Sequence, residues 1–167
     1  MEALVGGLTE FFKGWLSPEI IIFIVSLLPI LELRGGLIAA ALLGVDWAIA
    51  FPICVIGNVL PIPIILLFIR KIFDFIKKTN FLWLRKLVIK IDEKAQKKTK
   101  NMNTASLWGL FLFVGIPLPG TGAWTGSLVA NILNIKPLKA FIIIILGVIT
   151  AGIIMSTLTY LIPSFFF

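Results

Sequence analysis

The sequence of 167 residues has no histidine, a single cysteine (Cys54), and only 14% charged residues. Without histidine the usual zinc and haem sites lack a common ligand, so we expect no metal and no cofactor. A lone cysteine forms no internal disulfide, which leaves the redox compartment open. The chain has no nucleophile with a neighbouring base and no Walker-type phosphate loop, and we therefore do not expect an enzyme.

The shortage of charge excludes an ordinary soluble domain, in which about 25% of residues are charged. Hydrophobic residues make up 59% of the chain, and its mean hydropathy is +1.09. A surface of this composition is solvated by lipid rather than by water. We expect one all-α integral membrane domain over residues 1–167.

The net charge of +7 comes mostly from one segment, because eleven of the fifteen Lys and Arg residues lie between Arg70 and Lys100. Such a cluster between apolar blocks follows the positive-inside rule and predicts a cytoplasmic segment at residues 71–103. Apolar residues at helical spacing indicate a basic amphipathic helix on anionic lipid, with a solvated loop as the alternative. The position of the charge argues against nucleic acid as a partner.

Residues 1–17 carry a stripe of Leu, Phe and Trp at helical spacing. This stripe predicts an amphipathic helix in the membrane interface, with a tail packed on the helix bundle as the alternative. The first base of the chain is Lys13, so a cleaved signal peptide is not expected.

Two longer segments, residues 19–70 and 104–162, are apolar but are broken by Pro and Gly at 29–36 and 115–126. No arm beside these breaks reaches the ~20 residues that cross a bilayer. Irregular backbone at membrane depth is tolerated only inside protein or beside a cavity, so each broken stretch predicts a re-entrant helical hairpin. The four arms lie at 20–28, 37–45, 107–114 and 127–133.

The two segments form an internal repeat with a constant offset of ninety residues. Ten of thirty-five aligned positions are identical, including Pro29 with Pro119 and Gly36 with Gly126. Full spans follow the hairpins at 47–69, where prolines predict a kink, and at 138–162.

The charges favour an inverted repeat, in which each half pairs one hairpin with one full span. This topology places Lys136 and Lys139 on the same side as the basic segment and Asp46 on the other side. A topology of four full spans would put both lysines outside. Inverted repeats with broken helices are typical of secondary transporters.

Glu32 and Arg34 are the only charges inside a predicted membrane segment and away from its ends. Each costs at least ~2.5 kcal/mol at mid-membrane, so charges there indicate function. Arg34 offers a planar fork of donors for a phosphate, and Glu32 is the candidate proton-coupling residue. The N–H groups of Gly35 and Gly36 are candidates to face an anion. The alternative is a buried Glu–Arg pair that fixes the hairpin.

The second break carries no charge and offers hydroxyl, indole and backbone groups instead. Its candidate substrate-binding residues are Thr121, Gly122, Trp124 and Thr125. The residues predicted to shape the hairpin tips are Pro29, Pro117, Pro119 and Gly120. Trp124 either contacts a substrate or fills the core, and the amides of Asn58 and Asn131 are expected in helix–helix hydrogen bonds.

The motif Pro29-x-x-Glu32-x-Arg34-Gly35-Gly36 and the run of residues 115–126 stand at the two breaks. They resemble the two signatures of the small multidrug export protein family, and the resemblance covers roughly residues 19–162. That family is similar in plan to the DedA-like (VTT-domain) membrane proteins, so the resemblance implies opposed re-entrant hairpins and lipid transport. The second break departs from the DedA-like pattern because it lacks acidic residues and paired arginines.

The resemblance implies a multi-pass transporter of the bacterial or archaeal cytoplasmic membrane. Our leading hypothesis is translocation of a phosphorylated lipid carrier, polyprenyl phosphate or a related lipid, with Arg34 holding the phosphate and Glu32 exchanging a proton. The alternatives are proton-coupled export of small cationic drugs, and a membrane scaffold or subunit that transports nothing. Expected partners are anionic or phosphorylated lipids and a second copy in a homodimer.

Overall fold

The computed structural model of the chain describes residues 2–12, 14–68, 71, 104–118 and 120–161, which form helices joined by turns and contain no strand. The predicted amphipathic helix at 71–103 lies almost wholly outside them, as does Pro119. The helices are α1 (Glu2–Phe12), α2 (Pro18–Leu27), α3 (Glu32–Leu42), α4 (Trp47–Val59), α5 (Thr104–Gly115), α6 (Ala123–Ile132) and α7 (Pro137–Ser156), with a π-helical turn at Thr157–Leu161.

Two helices in the described part of the chain are long and apolar enough to cross a membrane, Trp47–Phe68 with 22 residues and Pro137–Tyr160 with 24 residues. The first includes α4 and a turn at Leu60 and Pro61, where proline interrupts the helical hydrogen bonds. By contrast, α2, α3, α5 and α6 have 10–12 residues. At 1.5 Å per residue each is roughly half as long as the ~30 Å hydrocarbon layer. The composition and these helices define a membrane protein.

The same order of elements occurs twice, with α2, α3 and α4 followed ninety residues later by α5, α6 and α7. The turn after the second arm is also repeated, because Gly44 (φ 68°) and Asn134 (φ 53°) both adopt the left-handed conformation there. Glycine and asparagine are the residues that tolerate this conformation best. Asp46 and Lys136 then precede the long helices with nearly identical backbone angles.

Glycines allow the arms to pack closely on the long helices at equivalent places in the two halves. A Cβ at Gly57 would lie 2.8 Å from the carbonyl oxygen of Phe23, and one at Gly147 would lie 2.7 Å from Cβ of Val114. Real Cβ atoms do not approach so closely, so only glycine fits at both positions.

The second arms begin earlier than the sequence indicates. Residues 29–36 were expected as a break, but α3 begins at Glu32 and contains Gly35 and Gly36. Likewise α6 begins at Ala123, within the expected break of 115–126. Glycine weakens an isolated helix by about 1 kcal/mol relative to alanine, but here close helix packing requires it, so tertiary contacts override propensity.

The N-terminal helix α1 packs on α3 and α2 through one buried side. Val5 and Thr9 are buried there, whereas Leu4, Phe11 and Trp15 are exposed. The helix therefore both contacts the bundle and presents an apolar side away from it.

Candidate functional site

Glu32 and Arg34 lie in the first turn of α3 and are 6% and 7% exposed. Glu32 has a positive φ of 52°, a conformation that costs an L-residue roughly 1–2 kcal/mol. Such a conformation persists where surrounding contacts determine it, and those contacts come from the second half of the chain.

The carboxylate of Glu32 accepts two hydrogen bonds at the start of α6. Its oxygens receive the backbone N–H groups of Ala123 at 3.2 Å and Trp124 at 3.1 Å. The first N–H groups of a helix have no partner within the helix and carry a partial positive charge, so they stabilise a carboxylate. Gly122 provides the space, because a Cβ there would overlap the carboxylate.

The guanidinium of Arg34 donates hydrogen bonds to the carbonyl oxygens of Leu118 and Thr121, in the break that follows α5. Its Nη2 also donates to the hydroxyl of Thr121 at 3.0 Å. That hydroxyl lies within hydrogen-bond distance of the carbonyl oxygens of Ile116 and Leu118. Arg34 thus binds carbonyl groups that lie in the break and outside the regular hydrogen bonding of a helix.

Both charges therefore form hydrogen bonds with the second hairpin, and we call this set of contacts the clasp: Glu32 to the N–H groups of Ala123 and Trp124, and Arg34 to Leu118 and Thr121. Hydrogen bonds to charged groups contribute about 1.5–3 kcal/mol each. The clasp joins the tips of the two hairpins, which lie about ninety residues apart in sequence.

Gly35 and Gly36 face the first arm of their own hairpin. The N–H of Gly35 donates to the carbonyl of Leu31 at 2.9 Å, and a Cβ at Gly36 would meet Ser26 and Cys54. These contacts are those of helix packing, and ligand binding by the two glycines stays a prediction.

Other predicted residues of the second tip surround the clasp. Thr125 points its hydroxyl back to the carbonyl of Gly122 at 3.4 Å. Trp124 is half-buried, and its indole Nε1 is buried without a hydrogen-bond partner in the described part of the chain. Pro117 and Gly120 lie in the break, as Pro29 does in the first hairpin. Substrate binding by any of them stays a prediction.

A cavity of about 10 Å³ lies beside the clasp. This volume admits about one water molecule and no head group. Its wall is formed by Glu32, Leu33, Arg34, Asn58, Val114, Gly122, Ala123, Val148 and Ala151.

Sequence reasoning missed the position of Asn58, which lines this cavity. Its Oδ1 has no hydrogen-bond partner among the described residues, so the expected helix–helix bond through that atom does not form. The amide of Asn131 bonds the carbonyl of Ser127 in its own helix at 3.0 Å, again not between helices. The sequence feature that could have indicated this position is an amide side chain in an otherwise apolar helix.

The described residues contain no group of three or more Cys, Asp or Glu side chains that would hold a metal ion. Two long apolar helices, four short helices and two buried charges are together the features of an integral membrane protein. A family model described as "Putative small multi-drug export protein" matches residues 32–154, more than half of the chain, and the chain belongs to this family. No curated protein and no solved structure gave a match.

Proposed function

We propose that this protein is a proton-coupled transporter that moves a phosphorylated lipid carrier, polyprenyl phosphate or a related lipid, across a bacterial or archaeal cytoplasmic membrane. The observation that carries the proposal is the clasp, in which both buried charges of one hairpin bind the tip of the other. Contacts of this kind hold a gate shut, and their release opens a path between the halves.

The proposed architecture is an inverted repeat of two re-entrant hairpins, each with one transmembrane helix. The short arms support it, because none is long enough to cross the bilayer. The clasp supports it as well, because the equivalent helices α3 and α6 both begin beside it. Residues 71–103 are then cytoplasmic, where their basic residues bind anionic lipid, and a homodimer is the proposed assembly.

The clasp couples opening of the proposed gate to protonation of Glu32. An ionised Glu32 accepts both N–H groups of α6, whereas a protonated carboxyl keeps only part of that acceptor capacity and loses its charge. Protonation of Glu32 thus weakens the contact between the tips. In the proposed cycle this arrangement is the closed state, and the small cavity beside the clasp, with room for about one water molecule, supports that assignment.

The charge that remains after protonation favours an anionic substrate. With Glu32 neutral, the site keeps the guanidinium of Arg34 and the positive end of α6. Guanidinium groups and helix N-termini are the groups that bind phosphate oxygens. A phosphate head group then takes the place of the carboxylate, and the prenyl chain stays in lipid.

Export of small cationic drugs is the second candidate, favoured by the family to which the chain belongs. Glu32 would supply the counter-charge and the half-buried ring of Trp124 a surface for stacking. The two candidates differ at Arg34, because a positive charge in the site repels a cationic substrate.

The test is transport in proteoliposomes loaded with polyprenyl phosphate or with a cationic dye. For the lipid carrier, Arg34→Gln lowers flux at least about tenfold, a loss of ~1.4 kcal/mol of interaction, and Glu32→Gln removes the dependence on pH. Lys139→Gln, an exposed cation outside the clasp, is the matched control. Dye flux that survives or rises in Arg34→Gln would favour drug export, and no flux of either substrate in the unaltered protein would favour a scaffold.

A further inference from the structure

The cavity beside the clasp lies where equivalent parts of the two halves face each other. Three pairs of its lining residues are ninety positions apart: Glu32 with Gly122, Leu33 with Ala123, and Asn58 with Val148. In two of these pairs the first half supplies a polar side chain and the second half supplies none. The wall is therefore polar on one side and apolar on the other.

Asn58 gives this cavity a specific hydrogen-bonding need. It is 2% exposed, and its Oδ1 has no partner among the described residues. Buried acceptors in native proteins are nearly always satisfied, by protein or by an internal water or ion. The unpartnered oxygen belongs to a residue that lines the cavity with Glu32 and Arg34.

The chemistry of the wall selects the occupant. An anion is disfavoured because Asn58 Oδ1 and the Glu32 carboxylate both accept hydrogen bonds. A cation is disfavoured by Arg34 and by the positive end of α6. A neutral donor of the size of water satisfies both conditions, and about 10 Å³ admits one such molecule.

We propose that the cavity is a site for one water molecule that delivers the proton to Glu32. The water donates one hydrogen bond to Asn58 Oδ1 and one to the Glu32 carboxylate, and accepts one from the Arg34 guanidinium. A hydronium on the aqueous side transfers its proton to a free lone pair of this water as the water passes one of its own protons to the carboxylate, which leaves water at both places and a neutral carboxylic acid. Asn58 is a positioning residue that acts through this water, and the relay rests on the proposed proton coupling.

Few other groups influence this transfer. Among the described residues of the cavity wall, Glu32 and Arg34 are the charged ones, and α5, α6 and α7 contribute none. Cys54 of α4 packs against Gly36, one turn further along α3. The pH response of transport is therefore assigned to Glu32, and its midpoint reports the surroundings of that carboxylate.

Two variants that displace the water, one in each half of the chain, test the proposal. Asn58→Leu removes the acceptor and fills the space, while Val148→Ile fills the space and leaves Asn58 intact. Both lower the proton-coupled rate about tenfold, equivalent to ~1.4 kcal/mol. Asn58→Leu also moves the midpoint of the pH profile upward by about one unit, because ionised Glu32 loses a donor. Asn131→Leu, a buried amide outside the cavity, keeps rate and midpoint.

The thermal unfolding temperature of the purified protein tests whether the cavity holds a water molecule, and the measurement needs no substrate. A water bound to three polar groups is lost in Asn58→Leu, which lowers the Tm by about 2–4 °C. In a dry cavity the same change removes an unsatisfied acceptor and raises the Tm. A raised or unchanged Tm, or a full rate in Val148→Ile, would overturn the proposal. Absence of proton-coupled flux in the unaltered protein would instead reject the proposed function. The Tm of Asn58→Leu would still test whether the cavity holds a water molecule.

Discussion

Glu32 and Gly122 occupy equivalent positions in the two halves of the chain, and the carboxylate of Glu32 fills the space where a side chain at Gly122 would begin. The repeat is therefore symmetric in backbone but complementary in side chains at its centre. One half supplies the charge, and the other supplies the space and the two N–H groups that bind it.

This complementarity predicts that Gly122→Ala disrupts the clasp. The added Cβ overlaps the Glu32 carboxylate, and such overpacking costs about 1–3 kcal/mol. The free energy of unfolding in detergent measures the loss. Gly109→Ala is the matched control, because nothing lies within 4 Å of a Cβ there and alanine favours the helix by up to ~1 kcal/mol. Equal stability of both variants would show that Glu32 does not lie against Gly122.

The Arg34 side of the clasp predicts that its geometry matters as much as its charge. Arg34→Lys keeps the positive charge, but one ammonium does not reproduce the planar fork that reaches both Leu118 and Thr121. We expect it to destabilise the protein by about 1.5–3 kcal/mol, the contribution of one hydrogen bond to a charged group. Thr121→Val removes only a hydroxyl and costs roughly 0.5–1.5 kcal/mol.

Chemical denaturation of the two single variants and the double variant measures the coupling between these residues. Because Thr121 Oγ1 bonds Arg34 directly, the effects are expected not to add. Strict additivity would place Arg34 away from Thr121, against the observed contact.

Much of the architecture was predictable from the sequence because it follows from local composition. The two long apolar helices, the short arms and the unusual charges at Glu32 and Arg34 are all visible as patterns within one segment. The offset of ninety residues also predicted which elements recur, since proline and glycine punctuate both halves at the same places.

The partners of the two charges were not predictable from the sequence. Glu32 binds N–H groups 91 and 92 residues away, and backbone groups leave no mark in the sequence. The positive φ of Glu32 could not be predicted either, because it depends on contacts that form only in the folded protein. Gly35 and Gly36 were misplaced in the break because the pattern does not distinguish a glycine that bends the chain from one that allows close packing.

Close packing predicts matched effects at Gly57 and Gly147. Alanine at either position drives a Cβ into the first arm of its own hairpin, at Phe23 or Val114, and we expect each change to cost about 1–3 kcal/mol. Unfolding temperatures of both variants provide the measurement, again beside Gly109→Ala. A tolerated alanine at one position only would mean that the two halves pack differently.

The proposed inverted topology predicts that equivalent positions lie on opposite sides of the membrane. Ala48 and Leu138 are ninety residues apart, both are exposed, and each lies in the first turn of a long helix. In a Cys54→Ala background, which removes the only native thiol, Ala48→Cys reacts with a membrane-impermeant thiol reagent added outside intact cells. Leu138→Cys is expected to react only after the membrane is opened, because in the proposed topology the lysines beside it lie on the cytoplasmic side. Equal labelling of the two cysteines in intact cells would mean that the halves are parallel, and four full spans would then replace the two hairpins.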